Sequence, residues 1–264
     1  MEPELEEIEF LALSPNRVAV LQALADGPQT RSDLASATGA SQATLGRILG
    51  DFEDRAWIER TDGGYRATVT GRLVARGFSD LLAILDTERD LRAIAQYLPG
   101  EAMDFDLRHL AGATVTLPTE TRPNAPVQRL IDLEREGREV RAFSHAFNEQ
   151  TLSLTVEQTA ADEMDFRGVF SRGAIDALAS DSDLRDRLGS LLAAENATVR
   201  ICEGGVPIAG TVVDDTAHVL VRDDNGVVQG SIDTDDGTVH EWATETFARY
   251  WDEATPLRRD DLVS

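Results

Sequence analysis

Ser14-Pro15-Asn16-Arg17-Val18-Ala19-Val20-Leu21-Gln22-Ala23-Leu24, followed by Gly27-Pro28 and the residues up to Val69, is the stretch that decides the reading of this chain. Ser14 suits a helix N-cap, and Pro15 suits the first helical position, where its missing N–H would have no partner anyway. Val18, Leu21 and Leu24 mark a buried stripe that Gly27 ends. Thr30 opens a second helix, with Asp33 three residues on as a capping-box variant. Leu34 and Ala37 face inward, and Gly39 supplies a turn. Ser41 opens a third helix that runs to about residue 55, with Leu45, Ile48, Leu49 and Phe52 on one side. Residues 57–60 and 65–69 read as short strands around Gly63-Gly64. Three helices and a two-stranded wing, in that order, form the layout of a winged helix-turn-helix, which sets one helix into a DNA major groove.

Working outward, Thr70 is expected to cap a long helix over 71–97 that stops at Pro99-Gly100. Its apolar stripe is Val74, Phe78, Leu81, Leu85, Leu91, Ile94 and Leu98. That is more apolar surface than the wing needs. Two readings compete: a helix that pairs with its twofold mate, or a connector buried against a second domain. Half-site recognition by a dimer favours the first or a mixture. Residues 101–264 then alternate. Strands are expected at 113–117, 139–143, 166–170 and 198–202, and helices at 126–136 and 149–162, with one helix or two over 172–195. Three β runs (207–213, 217–222, 226–233) precede a last helix at 239–253. Strands separated by helices, then a meander, predict an α/β domain with a mixed sheet. The fold class is therefore α/β, or α+β overall. Its expected parts are a winged helix-turn-helix at 10–70, a connector or dimerisation helix at 71–98, and an α/β effector or sensor domain at 101–264.

Composition sets bounds. The 264 residues are 42% hydrophobic and give room for two domains with cores. No apolar run is long enough for a membrane span. The acidic N-terminus lacks the basic region of a secretory signal, and the single cysteine, Cys202, cannot form an intramolecular disulfide. A cytoplasmic setting is expected. Net charge is −23, and all 25 basic residues are arginine. An acidic, lysine-free surface fits a chain adapted to concentrated salt, where the Debye length falls to roughly 3 Å and carboxylate repulsion is muted. Arginine-rich codon usage in an acidic mesophile is the alternative. The charge is unevenly spread: residues 12–78 hold 8 arginines against 7 acids, and the rest holds 17 against 41. The segment with the DNA-binding layout is the one spared the acidic excess.

On a helical wheel the face of the third helix opposite Leu45, Leu49 and Phe52 carries Ala43, Gly46, Arg47 and Gly50, flanked by Ser41, Gln42 and Thr44. A helix-interior glycine costs about 1 kcal/mol against alanine, so Gly46 and Gly50 suggest close backbone approach to a partner, unless they are merely tolerated. Arg47 could pair with a guanine edge and Gln42 with adenine. Asp51 and Asp54 would repel phosphates, so only the N-terminal half should enter the groove. Arg60 and Arg66 on the wing, and Arg31 at the start of the second helix, are candidates for backbone contacts. For each arginine, an ordinary ion pair or solvated position is the competing reading.

No catalytic constellation is apparent, and the four histidines have no metal-site spacing, so no enzyme activity, cofactor or metal is expected. Cys202 on an apolar run reads as structural in preference to redox-sensing. Acid runs such as Asp214-Asp215 and Asp233-Thr234-Asp235-Asp236 sit at turns and read as turn residues before Ca²⁺ or Mg²⁺ ligands. Arg141, His145, Arg200 and His218, at or near strand ends, are candidates for a pocket binding a small anionic effector, against ordinary pairing to carboxylates.

Residues 13–21, 41–49 and 65–73 resemble the N-terminal domain of haloarchaeal winged helix-turn-helix transcription regulators. Tyr97-Leu98-Pro99, Ala125-Pro126-Val127, Gly204-Gly205-Val206-Pro207-Ile208 and the helix from Trp242 to Trp251 resemble the C-terminal domain of the archaeal methanogenesis- and filament-regulator type, and more distantly TrmB-like effector domains. The resemblance covers nearly the whole chain. It implies a homodimer that binds promoter or operator DNA and couples a sensor to a DNA-binding head. Some relatives have a sheet similar to the phospholipase D fold, but a chain without lysine lacks the His-x-Lys signature of that hydrolase chemistry. Two other classes stay open: an adaptor or enzyme that uses the winged helix for protein docking, and a fold relative that has lost DNA binding.

Overall fold

The computed structural model describes residues 3–100 and 102–262 and divides into two units, Met1–Leu85 and Asp86–Ser264. The first unit holds α1 (Pro3–Ala12), α2 (Pro15–Asp26), α3 (Arg31–Thr38), α4 (Gln42–Asp54) and a hairpin of β1 (Ile58–Thr61) and β2 (Gly64–Ala67). The division falls within α5 (Val69–Leu91). Leu21, Leu24, Leu34, Leu45, Ile48, Leu49 and Phe52 are each at most 2% exposed and form one core. Their helical spacing on three short helices is what makes that core possible, because none of these helices is long enough to be stable alone. Gly71 packs the start of α5 against the hairpin so closely that a Cβ would lie 1.9 Å from the Trp57 carbonyl oxygen.

Several local details differ from the sequence reading. Helix α1 was not anticipated; its Phe10 ring packs on Phe52 and Trp57, with the guanidinium carbons of Arg17 and Arg55 3.9 and 3.8 Å from the ring centroid. Ser14 has the extended backbone of a cap, but its hydroxyl caps nothing. Thr68, not Thr70, caps α5: its Oγ1 accepts from the Gly71 N–H at 3.0 Å. The helix stops at Leu91, short of residue 97, and a 3₁₀ turn follows at Ala95–Tyr97.

The second unit contains β3 (Thr114–Thr116), α6 (Ala125–Glu136), β4 (Glu139–Ser144), α7 (Glu149–Ala160), β5 (Asp165–Ser171), α8 (Arg172–Ser180) and α9 (Ser182–Leu191). It continues with β6 (Ala197–Cys202), β7 (Ala209–Val213), β8 (Thr216–Arg222), β9 (Val228–Thr234), α10 (Gly237–Glu253) and β10 (Thr255–Pro256). Eight strands form one mixed sheet in the order β10-β6-β5-β4-β7-β8-β9-β3. Strands β4, β5 and β6 run parallel, each pair joined by helices; β7, β8 and β9 form the antiparallel meander.

Alternation along each strand feeds two layers. Ala142, Phe170, Ile201 and Val213 join the core beneath the α7–α9 helices, while their neighbours Phe143, Val169, Cys202 and Val212 join the core beneath α10. A third, smaller cluster of Val127, Leu130, Ile131, Ala209 and Leu220 lies under α6. The turn acids have structural work. Asp214 accepts from the backbone N–H groups of Arg138 and Glu139, and Asp223 from those of Asn225 and Val227. Asp236 caps α10 through Thr238 and Val239. Among the described residues no cluster of His, Cys, Asp or Glu is arranged to hold a metal ion.

Candidate nucleic-acid interface

A rigid turn connects α3 and α4. Thr30 and Asp33 complete the capping box in both directions, the Asp33 N–H donating to Thr30 Oγ1 and the Thr30 N–H to Asp33. Gly39 takes the left-handed conformation, at φ 69°, that a side chain would strain. Ser41 then caps α4 by accepting from the Thr44 N–H at 3.1 Å, and the two hydroxyls lie 2.9 Å apart. Ser41 and Thr44 thus already hold the helix end while remaining close to its surface.

On α4, Leu45, Ile48, Leu49 and Phe52 are buried, and Gln42, Ala43 and Arg47 are exposed. Arg47 has no ion pair among the described residues, so its guanidinium is free to meet an incoming group. The two glycines differ. A Cβ on Gly50 would meet nothing within 4 Å, whereas one on Gly46 would lie 2.3 Å from the Arg31 guanidinium. Arg31 donates to the Gln42 carbonyl at 3.1 Å and lies across α4 above Gly46. The close approach expected of Gly46 is therefore made, within this chain, by Arg31.

The wing arginines are engaged. Arg60 binds Glu53 through two hydrogen bonds, at 2.6 and 3.1 Å, and Arg66 binds Glu59 at 2.6 Å. Both pairs are solvent-exposed, where ion pairs contribute about 0–1 kcal/mol, so a phosphate could replace the carboxylate at little cost. Helix α1 adds Glu4, Glu6, Glu7 and Glu9 to this unit, and Glu7 pairs with Arg55 at 2.7 Å. The unit is more acidic than residues 12–78 alone.

The four polar residues proposed from sequence for an effector pocket are not gathered in one place. Arg141 lines a cavity of about 250 Å³ at the N-terminal ends of β4, β5 and β6 and pairs with Glu139 at 2.9 Å. His145 follows the opposite end of β4, its pKa lowered by burial and by Arg222. Arg200 stacks on Trp251 at 4.1 Å and donates to that residue's carbonyl, a structural role. His218 is buried in the sheet with neither ring nitrogen hydrogen-bonded among the described residues, and burial pushes its pKa down to about 4.

Two groups that sequence reasoning missed do share a cavity: Glu134 on α6 and Arg222 at the end of β8. Glu134 is 3% exposed, and burial raises its pKa to about 8. Its signal was present in the sequence, since Val127, Leu130, Ile131 and Glu134 fall at i, i+3, i+4 and i+7, which places a carboxyl in an apolar stripe.

Residues 5–90 match the family described as the HVO_A0261 N-terminal domain, and residues 123–253 match the middle domain of the methanogenesis regulatory protein FilR1. No curated protein matches the chain. Among solved structures it is similar to TrmBL2, an archaeal chromatin protein, at 13% identity, covering 95% of this chain and 98% of that one with a TM-score of 0.43. It is also similar to Nuc, a phospholipase D family member from Salmonella typhimurium, at 11% identity, 55% and 99% coverage and a TM-score of 0.44. NucT from Helicobacter pylori gives 12% identity, 55% and 98% coverage and a TM-score of 0.43. The two matches together span most of the chain, which joins a segment similar to the HVO_A0261 N-terminal domain to one similar to the FilR1 middle domain.

Proposed function

We propose that this protein is a transcription regulator that binds duplex DNA sequence-specifically as a homodimer, through a winged helix-turn-helix at its N-terminus, and that its C-terminal α/β domain senses a small ligand or a partner. The observation that carries this reading is Arg47: exposed, unpaired among the described residues, and held at the middle of an α4 that is capped at Ser41 and braced by Arg31. Gln42 and Ala43 share its exposed end of the helix, while Ser41 and Thr44 could add phosphate contacts without giving up the cap. In a dimer the two α4 helices would lie about 34 Å apart, one helical turn of DNA. A ligand in the C-terminal domain would act by favouring one dimer geometry over another. The reading assigns the chain no catalytic step. The lysine-free acidic surface supports adaptation to molar salt.

Chromatin immunoprecipitation of the tagged protein, beside Arg47→Ala, tests this. Discrete promoter peaks that share a palindromic motif and vanish in the variant are expected. In a salt-controlled titration on that motif, Arg47→Ala should weaken binding by about 1–3 kcal/mol. Unchanged affinity would remove Arg47 from the interface. One observation favours a second reading, in which this unit docks a protein: Arg60 and Arg66 are already neutralised by Glu53 and Glu59, beside an acidic α1. Absence of enrichment at any promoter would support it.

A further inference from the structure

The face of the sheet opposite α10 carries two separate apolar clusters, one under α7–α9 and one under α6. A cavity of about 50 Å³ lies between them, walled by α6, α7 and strands β4, β5, β7 and β8. An interior seam of this kind is normally closed by apolar side chains at near-crystalline density. Here the lining includes Glu134 and Arg222.

Glu134 enters the cavity from α6, where its stripe-mates Leu130 and Ile131 are apolar. Its Oε2 is buried without a hydrogen-bond partner among the described residues. Arg222 enters from β8; its Nη1 donates to the Gly226 carbonyl at 2.8 Å, but its buried Nε has no partner among the described residues. Phe147 and Phe170, with ring centroids 4.2 Å apart, supply an apolar wall. The other elements facing the cavity present neutral groups: Thr151 and Thr155 from α7, Ser144 from β4 and Thr211 from β7. His145, in the loop after β4, is close enough to Arg222 to feel its charge. Leaving buried polar groups unpaired costs about 1–3 kcal/mol each, more for charged ones, so this arrangement calls for a polar occupant.

The two groups decide its class. A bare amine would be repelled by Arg222, and a bare anion would leave the proton on Glu134; a molecule with both an ammonium and a carboxylate gives each group a charged partner. We propose that this cavity binds a small zwitterion of the amino-acid type, its ammonium on Glu134 and its carboxylate on Arg222, with a short apolar side chain against Phe147 and Phe170. This rests on the reading of the C-terminal domain as a ligand sensor and names its ligand class.

The chemistry has a proton signature. With a pKa of about 8, Glu134 is about nine-tenths protonated at pH 7 in the empty protein. An ammonium group makes the carboxylate the favoured form, so binding transfers that proton to the buffer. A neutral polyol would hydrogen-bond the protonated carboxyl and release none.

Titration calorimetry of the full-length protein at pH 7, in two buffers of different ionisation enthalpy, reads this directly. The probes are glycine, L-alanine and L-valine, with isobutylamine, propionate and glycerol as controls. At least one zwitterion should bind with release of about 0.9 proton per site, and each control should bind at least tenfold more weakly. Glu134→Gln should lower affinity at least tenfold and abolish the release; Arg222→Met should lower affinity while keeping whatever release remains measurable. Thermal melts of both variants establish that they fold. No binding of any of the three zwitterions at 10 mM, binding without proton release, or full affinity in both folded variants would overturn the assignment. Mobility shift of promoter DNA by the same wild-type sample separates the two readings. DNA binding without zwitterion binding fails this inference alone, and loss of both fails the regulator reading as well.

Discussion

Glu134 makes the stability of this protein depend on pH in a direction opposite to that of most carboxylates. Its folded pKa of about 8 lies well above the ordinary 4.5, because burial disfavours the charged form. Between those values the folded state holds a proton that the unfolded state has lost. Stability therefore falls as pH rises, by up to about 1.4 kcal/mol per pH unit. His218 works the other way: burial lowers it to about 4 from 6.5, so stability falls as pH drops below 6.5. Below 6.5 His218, joined by His145, whose pKa is lowered by burial and by Arg222, opposes the Glu134 contribution; above 6.5 the Glu134 contribution dominates. From pH 6.5 to 8 the wild-type protein should lose roughly 1.5–2 kcal/mol, a fall in Tm of about 3–8 °C for a domain of this size. Glu134→Gln, which keeps shape and hydrogen-bonding capacity, should be nearly flat over that interval and should lose stability below 6.5, where His145 and His218 charge. Thermal melts at fixed high salt from pH 4.5 to 8 provide the assay. Equal slopes for wild type and Glu134→Gln above pH 6.5 would refute the reasoning, because they would show that Glu134 is not held neutral in the fold.

Other outcomes follow from particular contacts. Gly71→Ala should destabilise the N-terminal unit by about 2 kcal/mol or more in chemical denaturation, since its Cβ would meet the Trp57 carbonyl at 1.9 Å and backbone cannot step aside cheaply. Gly50→Ala, with nothing within 4 Å, should raise stability by up to about 1 kcal/mol from helix propensity alone; if it also weakens operator binding, the bare backbone at Gly50 faces DNA. Arg66→Ala should leave sequence preference intact and reduce the salt dependence of DNA binding by about one unit of slope, provided its bond to Glu59 yields to a phosphate. On α5, Leu82 and Leu85 are 43% and 53% exposed. Replacing both with glutamate should shift sedimentation from dimer to monomer if this helix pairs across the twofold, and an unchanged mass would place the dimer contact elsewhere.

What the sequence discloses, and what it withholds, divides along the range of the forces involved. The α3-turn-α4 unit is legible because each of its determinants is local: Thr30 and Asp33 are three residues apart, Gly39 needs only its own φ, and Ser41 bonds the N–H of Thr44. The alternation of the second unit is legible for the same reason. Strand order is not, since placing β7 against β4 pairs residues 140–143 with 210–213, and nothing in either run names the other. The electrostatics of the wing are equally hidden. In sequence, phosphate contacts and ion pairs compete for Arg60 and Arg66; the fold pairs Arg60 with Glu53 at the end of α4, and the return of the hairpin lays Arg66 beside Glu59.

Glu134 is the instructive case between these extremes. Its place in an apolar stripe is a local fact, visible at i+7 from Val127, and a charged residue there conflicts with the pattern around it. Conflicts of that kind mark either an exposed helix edge or a functional group, and the sequence cannot choose, because the choice depends on what covers the stripe. The structure chooses: strands β7 and β8 and helix α7 close over the position, leave it 3% exposed, and bring Arg222 to the same cavity from 88 residues further along the chain. A lone buried carboxyl would be a defect to be repaired by a leucine. A buried carboxyl that shares a cavity with a part-satisfied arginine has the two groups that the proposed zwitterion site needs, and this is why a ligand is better sought there than at Arg141, His145, Arg200 and His218, which the fold does not bring together.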